Sequence, residues 1–177
     1  MRTRASEELL KILAYARDEA MRTGDYAIST DHLFLGILRH ASNDACATLK
    51  ELGADTAELK NDLEGRIFRP KSVSFADRDN MVFSRDAQNA LNLSIIEANI
   101  AGADAIFSTH LLLAVTNTAT SHATSLLRNL GIDHASLSAH MKANGLLKAS
   151  KVETKSNTPP HQVSILSIIS SPDKIAS

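Results

Sequence analysis

Two histidines, His32 and His110, close matching triplets in the chain, Thr30-Asp31-His32 and Ser108-Thr109-His110. Residues of these types invite three chemistries: metal ligation, general-base catalysis and binding of a charged ligand. A metal site needs three or four converging ligands. Neither histidine has another His, Cys or carboxylate three or four residues further along a helix. Nucleophilic catalysis fares no better, because the chain lacks a Gly-x-Ser-x-Gly elbow. Its single cysteine, Cys46, lies beside Ala45 and Leu49, the setting of a small buried hydrophobe. The seven glycines include no Gly-x-x-x-x-Gly-Lys-Ser/Thr stretch that would cradle phosphates. No catalytic, cofactor-binding or metal residue is assigned, and the chain reads as a binding module that is not an enzyme. Both imidazoles are expected to be partly buried and bonded to backbone, fixing the turn before a helix. Asp31, in a first helical turn, meets the helix dipole for about 0.3–1 kcal/mol. His40, His122, His134, His140 and His161 have no such equivalents and read as surface residues.

The triplets match because everything around them does. The segment Ser6 to Ile67 aligns with Ser84 to Gly145 at a constant offset of 78, without a gap and with 18 identities. These fall on caps, turn glycines and apolar positions. Glu19, Ala20, Gly24, His32, Leu33, Leu49, Gly53, Asp55 and Leu59 return as Glu97, Ala98, Gly102, His110, Leu111, Leu127, Gly131, Asp133 and Leu137.

Each copy predicts four helices. Ser6 or Ser84 caps the first, whose Leu9, Ile12, Leu13, Ala16 and Ala20 keep helical spacing in copy one, and Gly24 or Gly102 stops it. Thr30 or Ser108 is the expected hydroxyl cap of the second. The third ends at Gly53 or Gly131, and Asp55 with Glu58 starts the fourth as a capping-box variant. Glu19 and Glu97, repeated like for like, read as structural.

With 4% aromatic residues and few alternating β-branched runs, an all-α fold is expected: two four-helix motifs packed with pseudo-twofold symmetry. The double domain spans 1–147, with repeat one at 5–67, an inter-repeat loop at 68–82 and repeat two at 83–147. From 148 to 177 a linker or flexible tail is expected: Lys151 to Pro160 is polar with a Pro pair. Val163 to Ile169 is a short apolar run that the repeat does not explain, readable as an edge strand, a docking peptide or the residue of a truncation.

The 177 residues are 44% hydrophobic and 22% charged, ordinary for a globular domain. A net charge of −1 and a pI near 6.6 provide no basic field for nucleic acid. Only Arg39 and Lys50 lie on the second and third helices of copy one, which counts against the remote alternative, a helix-turn-helix DNA-binding regulator. No apolar stretch approaches the ~20 residues that span a bilayer, and Glu7 and Glu8 interrupt any signal sequence. A cytoplasmic location is expected, with neither nucleic acid nor membrane as partner and the isolated domain monomeric.

The joint order of these motifs, twice over, resembles the Clp N-terminal repeat domain that precedes the ATPase modules of Clp/Hsp100 unfoldases, most closely the ClpC type. The resemblance covers about Ala5 to Leu147. It rests on Phe83-Ser84, Glu97-Ala98, Gly102 and Ser108-Thr109-His110-Leu111-Leu112, and on Ala5-Ser6, Glu19-Ala20, Gly24 and Thr30-Asp31-His32-Leu33-Phe34. It implies recognition of protein substrates or adaptors for a Clp ATPase ring, within an unfoldase or as a free-standing accessory protein. In ClpC-like members the acidic residue of the Thr-Glu-His stretch is linked to phosphoarginine, its carboxylate pairing with the guanidinium. The matching positions here are Asp31 and Thr109, and only Asp31 keeps the charge. The candidate ligand-contacting residues are Ser6, Thr30, Asp31, Ser84, Ser108 and Thr109. His32, His110, Gly24, Gly102, Gly53 and Gly131 are structural repeat positions.

Overall fold

Short polar side chains start the helices and left-handed glycines end several of them, in both copies. In a computed structural model that describes residues 2–70, 73–149 and 163–175, Ser6 Oγ accepts the Leu9 amide at 3.1 Å and starts α1 (Glu7–Arg22). Ser84 Oγ does the same for Ala87 at the head of α5 (Arg85–Ile100). Asp55 takes the Ala57 and Glu58 amides ahead of α4 (Thr56–Ile67), and Asp133 takes that of Ser136 ahead of α8 (His134–Ala143). Gly24, Gly53, Gly102 and Gly131 all have positive φ, the conformation that lets a helix stop and the chain reverse.

The second helices begin at Thr30 and Ser108, as expected, but their caps lie one residue earlier. Ser29, not Thr30, caps α2 (Thr30–Arg39), and Phe107, not Ser108, occupies the cap position of α6 (Ser108–Thr116). Ser29 wins because its extended backbone places its hydroxyl over the His32 amide at 3.3 Å. The third helices are α3 (Asp44–Glu51) and α7 (His122–Asn129).

Every residue of α6 is buried, and so are the first nine of α2. Leu33, Phe34, Leu35, Ile37 and Leu38 of α2 and Leu111 to Val115 of α6 leave no wholly polar face, so these two helices sit inside, with most of their polar residues gathered at the buried helix starts. They touch each other, and α1 packs on α2 as α5 packs on α6. The helix pair of repeat one is especially close, because Gly36 of α2 lies against the α1 backbone at Ile12 and Ala16.

The repeats exchange arms. β2 (Val82–Phe83), leading into α5, pairs in parallel with β1 (Ala27–Ile28) of repeat one. Reciprocally, Ala5, leading into α1, bridges in parallel to Ile106 of repeat two, with Ile106 N donating to Arg4 O at 2.8 Å. This cross-bracing is the pseudo-twofold relation in hydrogen-bond form.

Where the sequence predicts a loop, residues Phe75–Asn80 form a 3-10 segment. Where it predicts a linker or tail, residues 163–175 instead return to the domain, with α9 (Ile165–Ser170) and a 3-10 turn at Pro172–Lys174. The physical reason is burial: Ile165 and Ile168 are 0% exposed and Ile175 is 4%. The expected Lys151–Pro160 linker lies outside the described residues.

Candidate functional site

The two triplets sit at the starts of the central helices, where buried helix ends need partners for their free amides. Asp31 is buried, and its side chain crosses to the other repeat. Oδ1 accepts the Ala123 amide at 2.8 Å and Oδ2 accepts the His122 amide at 3.3 Å. Ser121 takes the Thr124 amide at 3.1 Å, so α7 starts on one acceptor of its own and a carboxylate from repeat one. In the reciprocal direction Ser108 Oγ accepts the Ala45 amide of α3 at 3.3 Å, while Asn43 takes that of Cys46. Thr109, the sequence partner of Asp31, turns back within its own repeat and donates to Leu146 O at 3.3 Å. Thr30 is buried with no hydrogen-bond partner for its hydroxyl among the described residues. Of the six candidate ligand residues, Ser6 and Ser84 cap first helices, while Asp31 and Ser108 tie the repeats together.

Both histidines are buried and hold the same posture. Nδ1 of His32 accepts the Ser29 amide at 3.0 Å, and Nδ1 of His110 accepts the Phe107 amide at 2.9 Å. A nitrogen that accepts an amide proton carries none, so the proton sits on Nε2 in each ring. There it is directed at Thr23 Oγ1 (2.9 Å) in repeat one and at Leu147 O (2.6 Å) in repeat two. Burial pushes both imidazoles below their usual range, against a weaker upward pull from Asp25, Asp31 and Glu19 on His32 and from the Leu147 carbonyl on His110. With the folded value depressed, the unfolded chain binds protons first as pH falls below about 6.5, so the contribution of these rings to stability is present above that pH and lost beneath it. Two measurements check this. Nitrogen NMR at pH 7 should find Nδ1 unprotonated in both rings, and their titration should begin below that of a free histidine; Nδ1-protonated rings would contradict the assignment.

The repeated glutamates find unlike partners. Glu19, with its side chain only 3% exposed, is held by Arg22 and lies 3.6 Å from Arg39, whose guanidinium covers the Tyr15 ring at 4.7 Å. Glu97 meets His134 Nε2 at 2.8 Å. His140, read from sequence as a surface residue, reaches Glu51 of the other repeat at 2.5 Å. His161 lies outside the described residues. Cys46 is buried, its Sγ directed at Ile37 O, and desolvation pushes its thiol up to about 11, which keeps it protonated and unreactive at neutral pH. Among the described residues no group of three or more His, Cys, Asp or Glu could hold a metal ion, and no helix is long and apolar enough to cross a membrane.

Sequence reasoning missed Glu8, Arg17 and Gly36. Glu8 is buried and its Oε2 accepts the Ser108 amide at 3.0 Å, a further inter-repeat tie. Arg17 is 1% exposed. Its signal was present, since it follows Leu13 by one helical turn on the apolar stripe. The polar groups of Glu8, Asp31 and Ser108 join the two repeats.

Residues 4–161 match the family described as the Clp repeat (R) N-terminal domain. The negative regulator of genetic competence ClpC/MecB of Bacillus subtilis is 30% identical over 129 residues, which cover 73% of this chain and 15% of that protein. The chain thus spans a small part of the curated relatives it matches. In fold it resembles the Hsp104 N-terminal domain from Candida albicans (TM-score 0.66, 12% identity, covering 80% of this chain and 92% of that one). It also resembles the N-terminal domain of the ClpV1 ATPase from E. coli (TM-score 0.63, 18% identity, 82% and 88%).

Proposed function

The chain belongs to the Clp repeat N-terminal domain family, and on that premise we propose that it recognises protein substrates or adaptor proteins for a Clp ATPase ring. The observation that carries this reading is the use of the polar residues. Ser6, Ser84, Asp31, Ser108 and Glu8 are occupied by caps and inter-repeat bonds, which makes a braced scaffold that presents its outer surface to partners. The chemistry of unfolding belongs to ATPase modules outside these residues. A cytoplasmic setting fits the one buried, protonated cysteine. The ring either continues this polypeptide or is bound as a separate protein.

The ligand chemistry implied by the ClpC resemblance centres on Asp31. In the fold, an arginine-phosphate group that uses Asp31 has to share the carboxylate with the His122 and Ala123 amides. Recognition there is therefore asymmetric, since Thr109 contributes no charge in the other repeat.

Affinity capture from a lysate tests the reading. The immobilised chain should retain a Clp ring or its adaptors; retention of DNA alone would replace the proposal with the nucleic-acid alternative.

A further inference from the structure

Residues 163–175 lie on the domain as a bound peptide does. Val163 O accepts the Ala5 amide and Ile165 N donates to Thr3 O, each at 2.8 Å, so that Ser164 forms an antiparallel bridge with Arg4. Thr3 Oγ1 and Ser164 Oγ bond at 2.8 Å. Ser164 then caps α9, which lies against α5 and buries Ile165 and Ile168, three residues apart. The 3-10 turn that follows rests on the one at 75–80, and buried Arg17 of α1 donates Nη1 to Ile175 O at 2.9 Å.

We propose that this is an internally occupied peptide-recognition surface: residues 163–175 fill it in cis, and a neutral aliphatic peptide of the same pattern takes their place in trans. The pattern is one extended residue, a serine cap and two aliphatic residues three apart. Three observations carry the assignment. The arm Thr3–Ala5 gives main-chain bonds on one side to Ile106 and on the other to Val163 and Ile165, which is strand addition, a mode that takes affinity from backbone and selectivity from alternating pockets. The segment lies outside the repeated pattern, whose two copies end at Ile67 and Gly145. The contact chemistry is aliphatic and main-chain, apart from the Thr3–Ser164 hydroxyl bond and the Arg17 guanidinium, which meets a carbonyl.

A tethered segment competes at an effective concentration of about 1 mM. A partner with micromolar intrinsic affinity is thereby held off until it is abundant or the segment is drawn away. The surface gives the recognition reading a location and rests on that reading for its biological use alone.

The experiment uses the full chain. A labelled, end-capped peptide with the sequence of residues 163–175 is titrated into wild type and into Ile168→Asp, which places a charge under α9 and leaves both repeats unaltered. The variant should keep its helical circular dichroism and bind the peptide at least tenfold more tightly than wild type, and a peptide carrying Ile168→Asp should fail to bind. In wild type the Ala5 and Ile165 amides should exchange hydrogen before the Leu33 amide. A folded variant that binds no better than wild type overturns the proposal. So does a variant that unfolds while the Ala5 and Ile165 amides of wild type exchange only together with Leu33, because the segment is then part of the core. Peptide binding without capture of any Clp partner would retire the functional reading and leave the surface standing.

Discussion

Asp31→Ala should lower the stability of the domain by about 2–3 kcal/mol, the cost of leaving helix amides without partners where one of them is buried. Two amides lose their acceptor at once, those of His122 and Ala123, and Ala123 is wholly buried. The start of α7 also loses the negative charge that its dipole favours. At about 2–4 °C per kcal/mol for a chain of this size, the melting temperature should fall by roughly 4–12 °C. Asp31→Asn keeps one acceptor oxygen and should recover part of the loss. Thr109→Ala, which removes one 3.3 Å bond to Leu146, should cost less. The same variants address ligand chemistry. If phosphoarginine binds through Asp31, Asp31→Asn should lose binding while still folded, and Thr109→Ala should retain it. Unchanged binding in folded Asp31→Asn would confine this carboxylate to joining the repeats.

The second large effect is expected at Gly36. Helix propensity alone predicts that Gly36→Ala stabilises α2 by about 1 kcal/mol. The packing predicts the opposite. An added Cβ would lie 2.5 Å from the Ile12 carbonyl oxygen, 3.0 Å from the Ala16 nitrogen and 3.2 Å from the Ala16 Cβ. Two of these are backbone atoms of a neighbouring helix, so no rotamer change relieves the contact and the α1–α2 pair must separate. Overpacking of this kind costs about 1–3 kcal/mol, and moving α1 from α2 also disturbs the core to which Leu9, Leu13 and Leu33 belong. A net loss of about 2 kcal/mol is expected, read as a lower denaturation midpoint with unchanged slope. Ala114→Gly, the reciprocal exchange, should cost the propensity difference of about 1 kcal/mol together with the loss of a wholly buried methyl group. A gain in stability for Gly36→Ala would show that the helices have room to adjust.

The sequence by itself determined the eight helices of the two repeats, their doubling and their family. The constant offset carried caps such as Ser6 and Ser84, glycines such as Gly53 and Gly131, and apolar stripes, all local or periodic signals that act within a few residues of chain. It placed the second-helix caps one residue late, because Ser29 and Thr30 are both competent hydroxyls and only backbone direction separates them. Tertiary structure decided the rest. That Asp31 serves α7 across the molecule, that Ala5 pairs with Ile106 and β2 with β1, that Gly36 faces the backbone of α1, and that residues 163–175 return to α5 all depend on contacts between distant residues. A cap or a helical stripe is specified by its neighbours in sequence. A buried carboxylate is specified by whichever free amides the completed fold brings to it, and two repeats of one pattern assign that role differently once one has Asp31 where the other has Thr109.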